Sequence, residues 1–367
     1  MTNRVLLASA LGLGALLLSS AIPTAAQTAK TPAGKYHPPR MPDGHPDLQG
    51  TYDLATLTPL ERPAGAKAVY TREEAAKLEA QVAAQKAAAD SPLSPDRTAP
   101  PKGNGDQGTP LQYRLATGGT GGYNYGWLDP GTTYSVVNGE KRSSIVVDPP
   151  DGRIPFTPEA ARQRSATLRA LFNPSQGENN DPGLEKDPGA YDDPERRTLS
   201  ERCILGFGST SGPPALPDYF YNNLHQIVET PTSVMILSEM VHDARIIRMN
   251  AQHLPSTIRL WLGDSVGHWE GDTLVVDTTN FTDKTRFEGS TENLHVIERF
   301  TRIDDHTLLY RFTVEDPATF SRPWTGEYSW PATDGLIYEY ACHEGNYALG
   351  DILRGARQRD AAAKAAK

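Results

Sequence analysis

Residues able to move a proton or hold a charge gather in three short stretches. Cys342-His-Glu344, with Glu339 and Tyr340 just upstream, sets an imidazole beside carboxylates. Such a pairing can orient and tune His343 as a general acid or base near neutral pH, although a hydrogen-bonded strand-end histidine has the same signature. Val241-His-Asp-Ala-Arg-Ile246 places His242, Asp243 and Arg245 at a strand junction. There Arg245 suits a carboxylate or oxyanion clamp held by Asp243, and equally an Asp–Arg pair that closes a turn. Gly263-Asp-Ser-Val-Gly267 has the G-x-S-x-G spacing of a hydrolase with Ser265 as nucleophile. That elbow needs a strand, a sharp turn and a helix, whereas strands flank this stretch on both sides. Asp264, His268 and Trp269 are therefore kept as pocket residues, without a serine nucleophile.

Positioning these groups falls to a run of alternating segments. Leu224–Thr230, Ser233–Val241, Arg245–Met249, Thr257–Leu262, Thr273–Phe281, Leu294–Arg302, Thr307–Glu315, Trp324–Trp330 and Leu336–His343 are each short, β-rich and bounded by turn residues. Nine strands joined mostly by tight turns predict an antiparallel meander, and a meander of that length closes on itself to remove its edges. The expected fold is mainly β, a lipocalin-like barrel over residues 200–350. A β-sandwich is the alternative, and the absence of a fixed-period repeat disfavours a propeller. Alternation puts Val296, Glu298 and Phe300 on one face and His295, Ile297 and Arg299 on the other. Glu339 and His343 share a face of the last segment, with Tyr340 and Cys342 opposite. Ionisable groups among apolar neighbours are what a lined cavity requires, so His295, Glu298, Glu339 and Tyr340 join the candidate ligand-binding residues.

Upstream, Leu48–Asp53 and Ser143–Val147 are candidate strands in a region, 48–199, expected to pack helices and loops on the barrel. Thr71-Arg-Glu-Glu74 is a capping box that opens a helix to about Ala89, and Thr157-Pro158 opens a second to about Phe172. Residues 27–47 are polar and Pro-rich, expected to be extended and loosely held. Residues 173–199 carry seven carboxylates without regular ligand spacing, and 351–367 form a tail expected to be helical.

Residues 1–26 have the marks of a signal peptide: Arg4, an apolar run from Val5 to Leu18, and small residues before a cut after Ala26. The expected location is the periplasm or the exterior. In an oxidising compartment Cys203 and Cys342 form either a disulfide or two small buried thiols. A net charge of −9 argues against a nucleic-acid or anionic-membrane partner, and a mean hydropathy of −0.51 leaves no span in the mature chain. No nucleotide, flavin or metal fingerprint is present, so no cofactor and no metal are expected. A His/carboxylate metal site assembled across strands from His242, His295, His343 and Glu344 is the alternative.

Pro42-Asp-Gly-His-Pro-Asp-Leu-Gln-Gly50, Val147-Asp-Pro-Pro-Asp-Gly-Arg-Ile-Pro155, His242-Asp-Ala-Arg-Ile246, Gly271-Asp-Thr-Leu-Val-Val-Asp-Thr-Thr-Asn-Phe281 and Cys342-His-Glu-Gly-Asn-Tyr347 together resemble a family of exported bacterial proteins largely without assigned activity. The resemblance spans nearly all of the mature chain and implies that residues 42–355 act as one unit. The resemblance brings no activity with it; Trp261, Trp269, Tyr310, Trp324, Trp330, Tyr338 and Tyr340 point to a small-molecule ligand, apolar or aromatic, held in a barrel, and equally suit a core. Two uses of such a barrel are open. One is a cofactor-independent lyase, isomerase or hydrolase; the other is a periplasmic carrier. An envelope-associated structural protein is a third reading.

Overall fold

The computed structural model describes residues 36–89, 129–172, 191–206, 208, 210–218 and 221–365. The expected signal peptide, Gly118–Gly122 and most of the acidic stretch lie outside them. Two compact units are distinguished, Met1–Tyr36 and His37–Lys367, and the fold is that of the second.

Most of the alternating segments become strands of one curled ten-stranded sheet. In chain order these are β1 (Gly50–Asp53), β5 (Val146–Asp148), β6 (Leu224–Glu229), β7 (Ser233–Ser238), β8 (Ala244–Met249), β9 (Asp264–Glu270), β10 (Thr273–Thr279), β11 (His295–Asp304), β12 (Thr307–Glu315) and β13 (Trp324–Pro331). Their spatial order is β1-β6-β7-β8-β9-β10-β11-β12-β13-β5. β2 (Val69–Tyr70), β3 (Val136–Val137) and β4 (Glu140–Arg142) form a small separate sheet. Helices α1 (Arg72–Ala89) and α2 (Pro158–Phe172) start where their caps predict. The Glu74 N–H bonds Thr71 Oγ1 at 3.1 Å while Thr71 N–H bonds Glu74 Oε2 at 2.8 Å, the reciprocal pair of a capping box.

The mainly β fold is as the alternation predicts, but the sheet is open rather than a continuous closed barrel. Its two flanks meet at one isolated bridge, Tyr52 opposite Ala332, with Thr333 N–H donating to Thr51 O at 2.9 Å. Three expectations are corrected. β8 and β9 run parallel, so the meander is not antiparallel throughout. The chain between them, Thr257–Leu262 included, is a crossover loop rather than a strand, since a parallel neighbour cannot be reached by a tight turn. Leu336–His343 is also not a strand. The free edge of β13 is already taken by β5 and by the Tyr52 bridge, so no ladder is open to it. The chain instead enters α3 (Cys342–Gly345) and α4 (Tyr347–Ala365), tied to an upstream segment by the Cys203–Cys342 disulfide. The sheet domain therefore borrows β1 and β5 from upstream of residue 200 and ends near 333.

Inward-facing side chains fill the curl. Trp324, Trp330, Tyr310, Tyr328, Phe300 and Phe312 are all buried and stack edge-on or tilted against one another. Residues Thr210–Asp218 press into this face as a plug: Ala215 N–H donates to the Tyr310 hydroxyl and Ala215 O accepts from the Tyr328 hydroxyl, each at 3.0 Å. Gly326 on β13 is required for this packing, because a Cβ there would meet the Phe312 ring at 2.3 Å.

Candidate functional site

Strand direction places two depressions at opposite ends of the curl. One lies where β7 ends and β8 and β9 begin. Its volume is about 400 Å³, and its apolar walls include Ile246, Leu254, Leu260 and Trp261, with Asp243, Arg245, Arg248 and Asp264 supplying charge. Ile246, Leu260 and Trp261 are exposed, which is unusual for side chains of this kind gathered in one place.

The β7–β8 connection that carries Asp243 is strained. Val241 and His242 both have left-handed backbone, φ 61° and 45°. A β-branched residue is a genuine outlier in that region, and such strain tends to be retained at functional turns. The turn buries Asp243 Oδ2, which has no hydrogen-bond partner among the described residues. Burial pushes the Asp243 carboxyl up to about 6, opposed by the nearby His242. A carboxyl group with that value can take up and release a proton close to neutrality.

Arg245 is committed inward. Its guanidinium grips Glu298 at both carboxylate oxygens, NH2 to Oε1 at 2.9 Å, and the Tyr310 hydroxyl donates to the same Oε1 at 2.9 Å. Arg245 is 6% exposed and Glu298 0%, so this is a buried ion pair within the aromatic core. Burial opposes the Arg245 charge, but Glu298 holds its pKa above the usual arginine value. His225, on the facing side of β6, is also buried, which pushes its pKa down to about 4 and keeps the ring neutral. Arg245 is therefore a fixed structural cation, in place of the free oxyanion clamp that its spacing suggested.

Asp264 is equally engaged. It accepts from Arg248 at 2.8 Å, from the Leu254 N–H at 2.8 Å, and pairs with His253 Nδ1 at 3.0 Å. Burial raises its pKa, yet these three contacts together leave it below the ordinary value. His253 Nε2 continues to Asp277 at 3.0 Å, and Asp277 holds His295 at 3.1 Å. That hydrogen bond, working against burial, raises the His295 pKa. This chain of carboxylates and imidazoles pins the crossover loop to the outer face of the sheet.

Ser265 is buried on Thr278, Oγ to Oγ1 at 2.9 Å. The glycines around it serve packing: Gly263 has φ +69°, and a Cβ on Gly267 would meet Ile247 at 2.8 Å. His343, Glu344 and Glu339 stand exposed on or before α3 and line neither depression. Tyr340 is half-buried beside Tyr221, their ring centroids 6.3 Å apart, and burial raises its pKa well above the usual value. His268 points outward to Glu270 at 3.2 Å, and His242 is exposed. Among the described residues, no group of three His, Cys, Asp or Glu side chains is placed to hold a metal ion, and no helix is long and apolar enough to cross a membrane.

The second depression, about 340 Å³, lies where β6 and β9 end. It is walled by Met41, Met249 and Trp269 and carries Glu229 and Asp43. Residues 39–47, expected to be loose, form a closed turn here: Asp47 N–H bonds Pro39 O at 2.8 Å, and the His45 ring stacks on Trp269 at 4.9 Å. Three buried ionisable groups, Glu229, His225 and Asp218, lie outside the candidates that residue spacing singles out. The first two were legible, because Leu224–Glu229 alternates and sets His225 and Glu229 beside the apolar Ile227. Asp218 lies in the irregular plug, where no periodicity exists to read. In comparisons with known proteins, no family model, no curated protein and no solved structure matches this chain.

Proposed function

We propose that this is an exported small-molecule-handling protein whose apolar or aromatic ligand occupies the depression at the start of β8 and β9. One observation carries the reading: exposed Ile246, Leu260 and Trp261 converge on Asp243, whose carboxyl is raised to about 6 and has a buried, unpartnered oxygen. An apolar wall with one uncommitted polar group is the usual composition of a small-ligand site. Under the catalytic form of the reading, Asp243 is the general acid or base of a cofactor-independent lyase, isomerase or hydrolase. The carrier form is favoured by the commitment of Arg245 to Glu298, which takes one candidate catalytic partner away from Asp243.

Export with cleavage after Ala26 is part of the proposal, supported by the disulfide, which suits an oxidising compartment. A lipocalin-like use of the curled sheet is a further part, modified so that the ligand sits at an end of the packed interior. Membership of the exported bacterial family belongs to it as well. The shared phrases supply the 39–47 turn, the strained Asp243 turn, β10 and the disulfide segment.

The test compares mature protein with Asp243→Asn and Trp261→Ala after incubation with a metabolite extract, using mass spectrometry to find altered or retained compounds. A product made by the wild type and lost in Asp243→Asn establishes an enzyme. A compound retained by the wild type and by Asp243→Asn, but not by Trp261→Ala, establishes a carrier. Behaviour identical in all three proteins sinks the site.

A further inference from the structure

The depression at the opposite end differs in chemistry and stands independently of the ligand site above. Glu229 is 9% exposed and faces it from the end of β6. Its Oε1 accepts the Leu48 N–H at 3.1 Å, which leaves Oε2 for the cavity. Asp43 adds a second carboxylate on the rim, while Met41, Val234, Met249 and Trp269 give an apolar wall.

Among the described residues, no lysine or arginine lines the space. The two nearby arginines are engaged: Arg40 pairs with Asp272 at 2.8 Å, and Arg302 donates to the carbonyls of Asp47 and Asp305 at 2.8 and 2.7 Å. Among the described residues, the charged or titratable groups that act on Glu229 or share its cavity are Asp43, Asp47, His45 and Arg302, of which Arg302 is the permanent cation. An ionised, nearly buried carboxylate without a paired cation is costly, and a cation delivered by a ligand relieves that cost. Trp269 and the thioethers of Met41 and Met249 suit the apolar body of such a ligand, and its charged head gains from any accessible aromatic face.

We propose that this cavity binds a primary or secondary amine carried on a small apolar or aromatic body, with its ammonium group on Glu229 Oε2. Burial pushes Glu229 up to about 7, with Asp47 and Asp43 adding to the rise and the Leu48 N–H and Arg302 opposing it. An ammonium ligand selects the ionised carboxylate, so binding strengthens as pH rises through about 7 and releases a proton below that.

Isothermal titration of the mature chain with benzylamine, and with benzyl alcohol and benzoate as neutral and anionic counterparts, tests this at pH 6 and pH 8. Benzylamine is expected to bind about tenfold more tightly at pH 8 than at pH 6, following the ionised fraction of Glu229. Neither counterpart should match it, and Glu229→Gln should abolish both the preference and the pH dependence. If Glu229→Gln does not fold, the wild-type profile decides, joined by Asp43→Asn, which is expected to weaken benzylamine several-fold. A flat pH profile, equal binding of benzyl alcohol or benzoate, or no heat from benzylamine at millimolar concentration overturns the proposal.

Discussion

Glu298 and Arg245 illustrate how one side chain's environment decides its role. Glu298 was expected among cavity-lining groups and Arg245 as a clamp at a strand junction; both face inward, but Arg245 is consumed by Glu298, and Glu298 by Arg245 and the Tyr310 hydroxyl. Removing one member of a buried pair leaves an uncompensated charge, so Glu298→Ala is expected to cost about 3–5 kcal/mol. The double replacement Arg245→Met with Glu298→Leu is expected to recover most of that loss. Urea denaturation midpoints check both, and equal destabilisation by the single and double changes would contradict the pairing.

Asp218 makes a pH prediction. Burial pushes its carboxyl up to about 8, with the Thr210 hydroxyl opposing and Glu239 adding to the rise. Because the folded value lies above the unfolded one, its contribution to stability is complete below about pH 4 and is lost as pH rises through about 8. Wild-type stability should therefore fall across that window more steeply than that of Asp218→Asn. Parallel pH profiles of the two would show that Asp218 does not titrate as its burial implies.

At the scale of elements, the β7–β8 turn links strain to the candidate site. His242 is exposed with φ 45°, so its side chain contributes little packing while its backbone sits where glycine is preferred. His242→Gly is expected to stabilise the fold by roughly 0.5–1 kcal/mol, read as a small rise in Tm. Unchanged or lower stability would mean that the turn is held by contacts of the imidazole. The helices α1 and α2 and most strands were legible, since local periodicity and caps report them directly. β9 was not, because Gly263, Gly267 and its polar residues obscure the alternation. The false last strand, Leu336–His343, had the right local pattern, but the edge of β13 that it would extend from is taken by β5 and the Tyr52 bridge.

Across the whole molecule, the Cys203–Cys342 bond joins residues 139 apart and anchors the final helices to the segment just before the plug. In the chain-entropy description a link of that span contributes roughly 4–5 kcal/mol. Paired replacement of both cysteines by serine should lower stability on that order, and an unchanged denaturation midpoint would remove the disulfide from the account of the fold. The sequence by itself determined the β class, the two capped helices and the inward face of most strands, because these depend on neighbours two to four residues apart. Only the tertiary structure decided which polar groups meet. Arg245 reaches Glu298 across 53 residues, and the 39–47 turn stacks His45 on a tryptophan more than two hundred residues away. Contacts at such separations depend on which strand edges remain open and which loop fills the curl, and no local pattern encodes either.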